Sequence, residues 1–341
     1  MNRSFYLNLA AGGMRMPIGT HLVLHEQPDP VAIELDGARL GDVCALAADR
    51  FHTPLAVPLM DLKLEKEALL LARGVAPAEI DGFHFSEPPA DGPRFESTPR
   101  MRATCDAIRR VAARPDLVPL GMGIGPFSLM TKLVADPIAP VYLAGTGLTA
   151  DDDPEVALVE RGLEVGTELL LEYFAAQIEA GAKAIIVCEP AANAVYFSPK
   201  QLAEGSDTFN RYVMEPMRRI RALFAETGTD LVFHDCGELT GEMVEKFGTL
   251  DSAMMSLGSS RALWEDAARV PKSTVLFGNL PTKRFPSPQL TVDDVARLAR
   301  DLRERMAETG HPFILGSECD VLSVPGCERE IMAKVEAFMG G

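Results

Sequence analysis

A histidine and a cysteine two residues apart, His234 and Cys236, close the β-rich run Leu231-Val232-Phe233-His234-Asp235-Cys236-Gly237. An extended strand alternates its side chains between two faces, so the imidazole and the thiol point the same way and Asp235 points the other. A nitrogen and a sulfur donor side by side suit a borderline metal such as zinc. A second apolar run, Pro312-Phe313-Ile314-Leu315-Gly316-Ser317-Glu318-Cys319, also ends in a cysteine. His234, Cys236 and Cys319 together would supply three protein ligands and leave a fourth position open. A catalytic zinc needs that open position, and a structural zinc lacks it. Without a metal, the same residues would read as a backbone-bonded histidine beside small buried hydrophobes.

Residues so far apart must be brought together by the fold. Short apolar runs at 17–22, 55–61, 117–122, 184–189, 231–236, 252–257, 274–280 and 313–319 read as strands. Between them lie helix-like stretches such as 155–180 and 292–309, with apolar residues at three- and four-residue spacing. The second has a legible start, with Thr291 as N-cap and Asp294 completing a capping-box pair. Eight strands alternating with helices predict an α/β protein, a (β/α)8 TIM-type barrel spanning 1–341 as a single domain with an N-terminal extension. An open doubly wound sheet would spread the strand-end polar residues along an edge, whereas a barrel gathers them at one mouth.

Several residues are candidates for that mouth. Glu189, followed by Pro190, reads as a catalytic carboxylate for proton transfer or as a helix cap, with Cys188 facing the other way. Asn279 and Asp61 would orient substrate or cap the helices that follow. His21, at the end of the first run, is a further substrate-binding candidate. Cys327 competes with Cys319 because it precedes a helix-like run whose N-terminus would favour a thiolate, but a strand end aims a ligand into the mouth more directly. Gly121-Met122-Gly123-Ile124-Gly125 lacks phosphate-loop spacing and predicts close packing or room for a bulky cofactor.

The formal net charge of −16 argues against nucleic acid, whose binding rests on neutralising phosphates, and against an anionic membrane surface. No apolar run reaches the roughly 18 residues of a membrane span. The six cysteines are scattered rather than densely spaced, as expected of reduced thiols in a cytoplasmic protein.

The chain also resembles the uroporphyrinogen decarboxylase superfamily, and within it the zinc-dependent branch of corrinoid-linked methyltransferases. The resemblance is carried by Arg15-Met16-Pro17, Gly125-Pro126-Phe127, Gln177-Ile178-Glu179-Ala180-Gly181-Ala182, His234-Asp235-Cys236-Gly237, Gly278-Asn279-Leu280 and the Cys319 segment, in that order. It implies a (β/α)8 barrel with zinc in its mouth, held at His234, Cys236 and Cys319. It implies a methylcobalamin-type corrinoid cofactor supplied by a corrinoid-binding partner protein, and a small molecule as methyl donor or thiol acceptor. A zinc-bound thiol would attack the methyl group; on the donor side, zinc would instead polarise a methylated substrate. The decarboxylase branch implies an arginine-rich segment near the N-terminus, a density that Arg15 beside the first strand does not supply. A metal-free decarboxylase of a tetrapyrrole-like acid is therefore the second expectation. A non-catalytic protein that uses zinc only to hold the mouth together is the third.

Overall fold

The computed structural model describes residues 3–91 and 95–340. Eight strands follow one another along the chain: β1 (Arg15–Ile18), β2 (Leu55–Ala56), β3 (Val118–Ile124), β4 (Ala184–Cys188), β5 (Asp230–Asp235), β6 (Met254–Leu257), β7 (Val275–Leu280) and β8 (Phe313–Asp320). They are parallel and ordered β1-β8-β7-β6-β5-β4-β3-β2, with helices returning the chain over the outside. This is the (β/α)8 TIM-type architecture. Among the described residues the backbone ladder stops between β1 and β2. There the contact is made by side chains: Thr20 Oγ1 donates to the Val57 carbonyl at 2.6 Å, and Thr53 Oγ1 lies 3.6 Å from Met16 Sδ.

Alternate residues of the strands fill the barrel. Met16, Ile18, Leu55, Leu120, Met122, Ala184, Ile186, Cys188, Val232, Met254, Val275, Phe277 and Ile314 form one buried cluster. Their neighbours in sequence, such as Ile185, Val187, Leu231, Phe233, Met255, Leu276 and Leu315, pack outward against the helices. Period-two alternation thus sorts the same apolar runs into an inner and an outer core. The helix Arg3–Ala11 closes the N-terminal end of the barrel, where Tyr6 is fully buried in the inner cluster and bonds Asp230 Oδ2 at 3.0 Å.

The first strand differs from expectation. It occupies Arg15–Ile18, and Gly19 then leads into the helix Thr20–His25, so His21 lies on a helix and not at a strand end. The apolar Leu22, Val23 and Leu24 are buried by that short helix. β2 pairs over two residues only, Leu55 with Val118 and Ala56 with Pro119. Pro58, which cannot donate to a ladder, follows immediately. The capping box of the helix Val292–Thr309 is present, with Asp294 N donating to Thr291 Oγ1 at 3.1 Å and Thr291 N to Asp294 Oδ2 at 3.0 Å. No helix among the described residues is long and apolar enough to cross a membrane.

Candidate metal centre

Val232 belongs to the inner cluster, so the alternation of β5 carries His234, and then Cys236 just past the strand, to the same interior face at the mouth. Cys319 arrives by a different route. Ile314 packs inside and Leu315 outside, so strict alternation along β8 would turn Cys319 outward. The β1–β8 register breaks in between: Met16 pairs with Gly316, and Ile18 with Asp320. This irregularity re-aims the strand end, as β-bulges do next to functional sites. One imidazole nitrogen and the two thiol sulfurs then lie within 4.8 Å of one another, with the sulfurs 4.0 Å apart.

Those distances suit a metal. Two sulfurs sharing a tetrahedral zinc at about 2.3 Å stand about 3.8 Å apart. His234 is 1% exposed, its Nδ1 lies 3.0 Å from Ser256 Oγ, and its buried Nε2 has no hydrogen-bond partner. A buried nitrogen left bare is costly unless something accepts its lone pair. Ser256 is in register with His234 across β5 and β6, so its hydroxyl, bonded at Nδ1, holds the ring in place and leaves Nε2 without a partner. The donor set therefore fits zinc with one position open. Ser256→Ala should keep the fold and weaken zinc binding roughly 10–100-fold, read by competition with a chelating dye.

The electrostatics point the same way. A hydrogen bond with Cys319, with His234 and Lys283 adjacent, holds the Cys236 thiol below its ordinary range despite burial. The hydrogen bond and the charge of Cys236 push Cys319 up. Burial works against the Lys283 ammonium, yet Cys236, Cys319 and Glu318 outweigh it and hold its pKa above the usual value. Met60, on the loop after β2, brings its thioether to 3.7 Å from Cys319 Sγ. All six cysteines are free thiols, and Cys327 sits at the start of the helix Glu328–Met339, outside the cluster.

The other candidates lie elsewhere. Cys188 faces the barrel interior, so Glu189 turns to the outer face and not into the mouth. It is fully buried: Oε1 accepts from Ser128 N at 2.8 Å, and Oε2 packs against Gly125 with no partner. Burial raises its carboxyl to about 8 against the pull of backbone donors at Ser128 and Phe127. Asn279 spends its amide on the carbonyls of Gly258 at 2.8 Å and Arg261 at 2.9 Å, tying β7 to the loop after β6. Asp61 pairs with Arg100 at 2.8 Å, and His21 Nδ1 accepts from Ser323 N at 3.0 Å. Asp61 Oδ1 also accepts from Lys63 N at 3.3 Å, at the N-cap position of the helix Leu64–Leu71. Arg15 opens β1 at the far end of the barrel and donates to the Phe338 carbonyl at 3.2 Å.

Sequence reasoning missed Ser256, Met60, Lys283 and Glu318. A serine one residue before the end of the strand next to the His-x-Cys strand is the one usable signal among them. The glycines of β3 prove to be packing sites: side chains at 121 and 123 would collide with Gln177 and Phe174 of the helix Pro154–Glu179.

Glu65 is buried like Glu189, and burial lifts it to about 7. Both acids are therefore protonated more readily in the folded chain than in the unfolded one. Their contribution is complete below an unfolded value near 4.5 and is lost as pH rises through about 7 and about 8. The melting temperature should fall between about pH 4.5 and about pH 8. The fall should be shallower in Glu189→Gln, whose neutral amide mimics the protonated acid.

The family model described as uroporphyrinogen decarboxylase (URO-D) matches residues 50–335. A protein of Methylibium petroleiphilum named uroporphyrinogen decarboxylase is 29% identical over 291 residues, 79% of this chain and 72% of that one. The Methylcobamide:CoM methyltransferase MtaA of Methanosarcina barkeri is 27% identical over 142 residues, 41% of this chain and 36% of that one. Among solved structures, a methyltransferase from Methanosarcina mazei superposes with a TM-score of 0.68 at 17% identity, covering 99% of this chain and 98% of the other, a likeness of fold.

Proposed function

Because this chain belongs to the uroporphyrinogen decarboxylase family and gathers His234, Cys236 and Cys319 at the barrel mouth, we propose that it is a zinc-dependent, corrinoid-linked methyltransferase. It moves a methyl group between a corrinoid carried by a partner protein and a small substrate, with a thiol as acceptor. The observation that carries this reading is the bare, buried Nε2 of His234 facing two cysteine sulfurs. Zinc bound there supplies an open position at which a substrate thiol is held as its thiolate. The name of the Methanosarcina barkeri relative, a methylcobamide methyltransferase, supports the same chemistry.

The chain's own residues prepare that position. Ser256 holds the His234 ring still, so that no reorientation is needed when substrate arrives. With zinc bound, Cys236 and Cys319 would both be thiolates, whose two negative charges would keep a bound sulfur electron-rich and nucleophilic. Met60, half-buried, borders Cys319 with an apolar, polarisable thioether. The barrel mouth would hold a substrate sulfur in line with the methyl group that a partner-borne corrinoid would supply. Decarboxylation of a polycarboxylate is less well supported, because Arg15 is committed to the opposite end of the barrel.

Thiol-dependent demethylation of free methylcobalamin tests the proposal. Zinc-loaded protein should accelerate loss of the methylcobalamin spectrum with a simple thiol. No acceleration with any of a panel of small thiols, by protein that holds stoichiometric zinc, would overturn it.

A further inference from the structure

A cavity of about 440 Å³ lies between the helices that follow β2 and β3, and three lysines line it: Lys63, Lys66 and Lys132. None of His234, Cys236 and Cys319 borders it. Lys63 and Lys66 come from the start of the helix Leu64–Leu71, and Lys132 from the last turn of the helix Pro126–Leu133. Pro77, Ile80, Asp81 and His84 form the remaining wall. Phe85 N donates to the Leu133 carbonyl at 2.9 Å, which fixes that wall to the end of the helix bearing Lys132.

The lysines are poorly compensated. Lys66 is only 8% exposed, so its stem is packed away and its ammonium emerges in the cavity. Its one hydrogen bond runs to the Asp81 carbonyl at 3.3 Å and brings no negative charge. Lys132 makes no hydrogen bond or ion pair among the described residues. Two acids also line the cavity, Glu67 and Asp81, and neither pairs with Lys66 or Lys132. Asp81 stands 4.0 Å from Lys63, with both side chains largely in solvent. A cation in the first turn of a helix also opposes the helix dipole, and burial and Lys132 together weaken the hold of Lys66 on its proton. An oxyanion entering the cavity would relieve all of these costs at once. The volume leaves room for an organic body beside the charged group.

We propose that this cavity binds a small organic anion carrying a phosphate or carboxylate group, with Lys66 and Lys132 as its charged donors and Lys63 and His84 at the rim. The site is independent of the metal centre and does not rest on the methyl-transfer reading.

Calorimetric titration of the full chain with inorganic phosphate and with citrate tests it, against sodium chloride at matched ionic strength. Wild type should bind one or both anions, phosphate alone marking a phosphoryl ligand and citrate alone a carboxylate. K66M keeps an apolar stem and removes the charge, so without anion it should melt no lower than wild type. K66M and K132M should each bind roughly 10- to 100-fold more weakly. Were K66M to melt lower, K132M, at a half-buried position, carries the comparison. Wild type that binds neither anion up to about 10 mM would overturn the proposal. So would a response that chloride reproduces, or affinities unchanged in K132M and K66M.

Discussion

Cys236→Ser and Cys319→Ser should each reduce bound zinc from about one per chain to a small fraction. Either change removes one of three ligands from a cluster whose donor atoms lie within 4.8 Å of one another. A hydroxyl is a far weaker zinc donor than a thiolate, so the loss should exceed the roughly 10–100-fold expected when only a supporting hydrogen bond is removed. Demethylation of methylcobalamin should disappear with the metal. The two variants should melt close to the chelated wild type, because the metal contributes to stability only while it is bound. Metal analysis beside thermal denaturation makes the check. Full zinc occupancy in both variants would remove the centre from the account, and occupancy in Cys319→Ser alone would return Cys327 to consideration.

Gly125→Ala should be the most disruptive single-methyl change near the mouth. Gly125 follows β3, and an added Cβ would fall well inside contact distance of the Glu189 carboxylate. Glu189 cannot simply step aside, since it is fully buried and holds Ser128 N at 2.8 Å. Moving it would strand that donor and an already unpartnered oxygen. A cost of about 3 kcal/mol is expected, or a fall in melting temperature of about 4 °C. The cost should be much smaller when Gly125→Ala is made in a Glu189→Ala background, which removes the obstruction and isolates the coupling between the two sites. Equal costs in both backgrounds would show that the contact is not the cause.

The parts legible in the sequence were those governed by local rules. β4 to β8 stand out as buried apolar runs, and the capping box at Thr291 is a four-residue pattern. The shared face of His234 and Cys236 follows from alternation alone. The first strand was misplaced because Leu22, Val23 and Leu24 are apolar for the sake of a buried helical turn. Glu189 and Cys188 were correctly set on opposite faces, but which of them faces inward depends on the rotation of β4 about its axis. That rotation is fixed by all eight strands together, through the inner cluster of Ala184, Ile186 and Cys188. Cys319 reaches the mouth through a break in register with β1, which no pattern within residues 313–319 encodes. Lys283 and Met60 sit in loops, where position is decided by what the loop crosses.

The gap in the backbone ladder between β1 and β2 gives the molecule an unequal stiffness. The barrel is a cylinder slit along one line and fastened there by side chains such as Thr20, so amide hydrogen exchange should be fastest along its two lips. His234 and Cys236 belong to β5, deep in the continuous sheet and far round the ring from the slit. Met60 stands on the loop leaving β2, at one lip, and Cys319 on β8 lies one strand from the other. Widening the slit therefore carries the methionine sulfur away from Cys319 while the β5 donors keep their places. The cluster thus has one side within the continuous sheet, at His234 and Cys236, and one side at the slit, where Cys319 meets Met60.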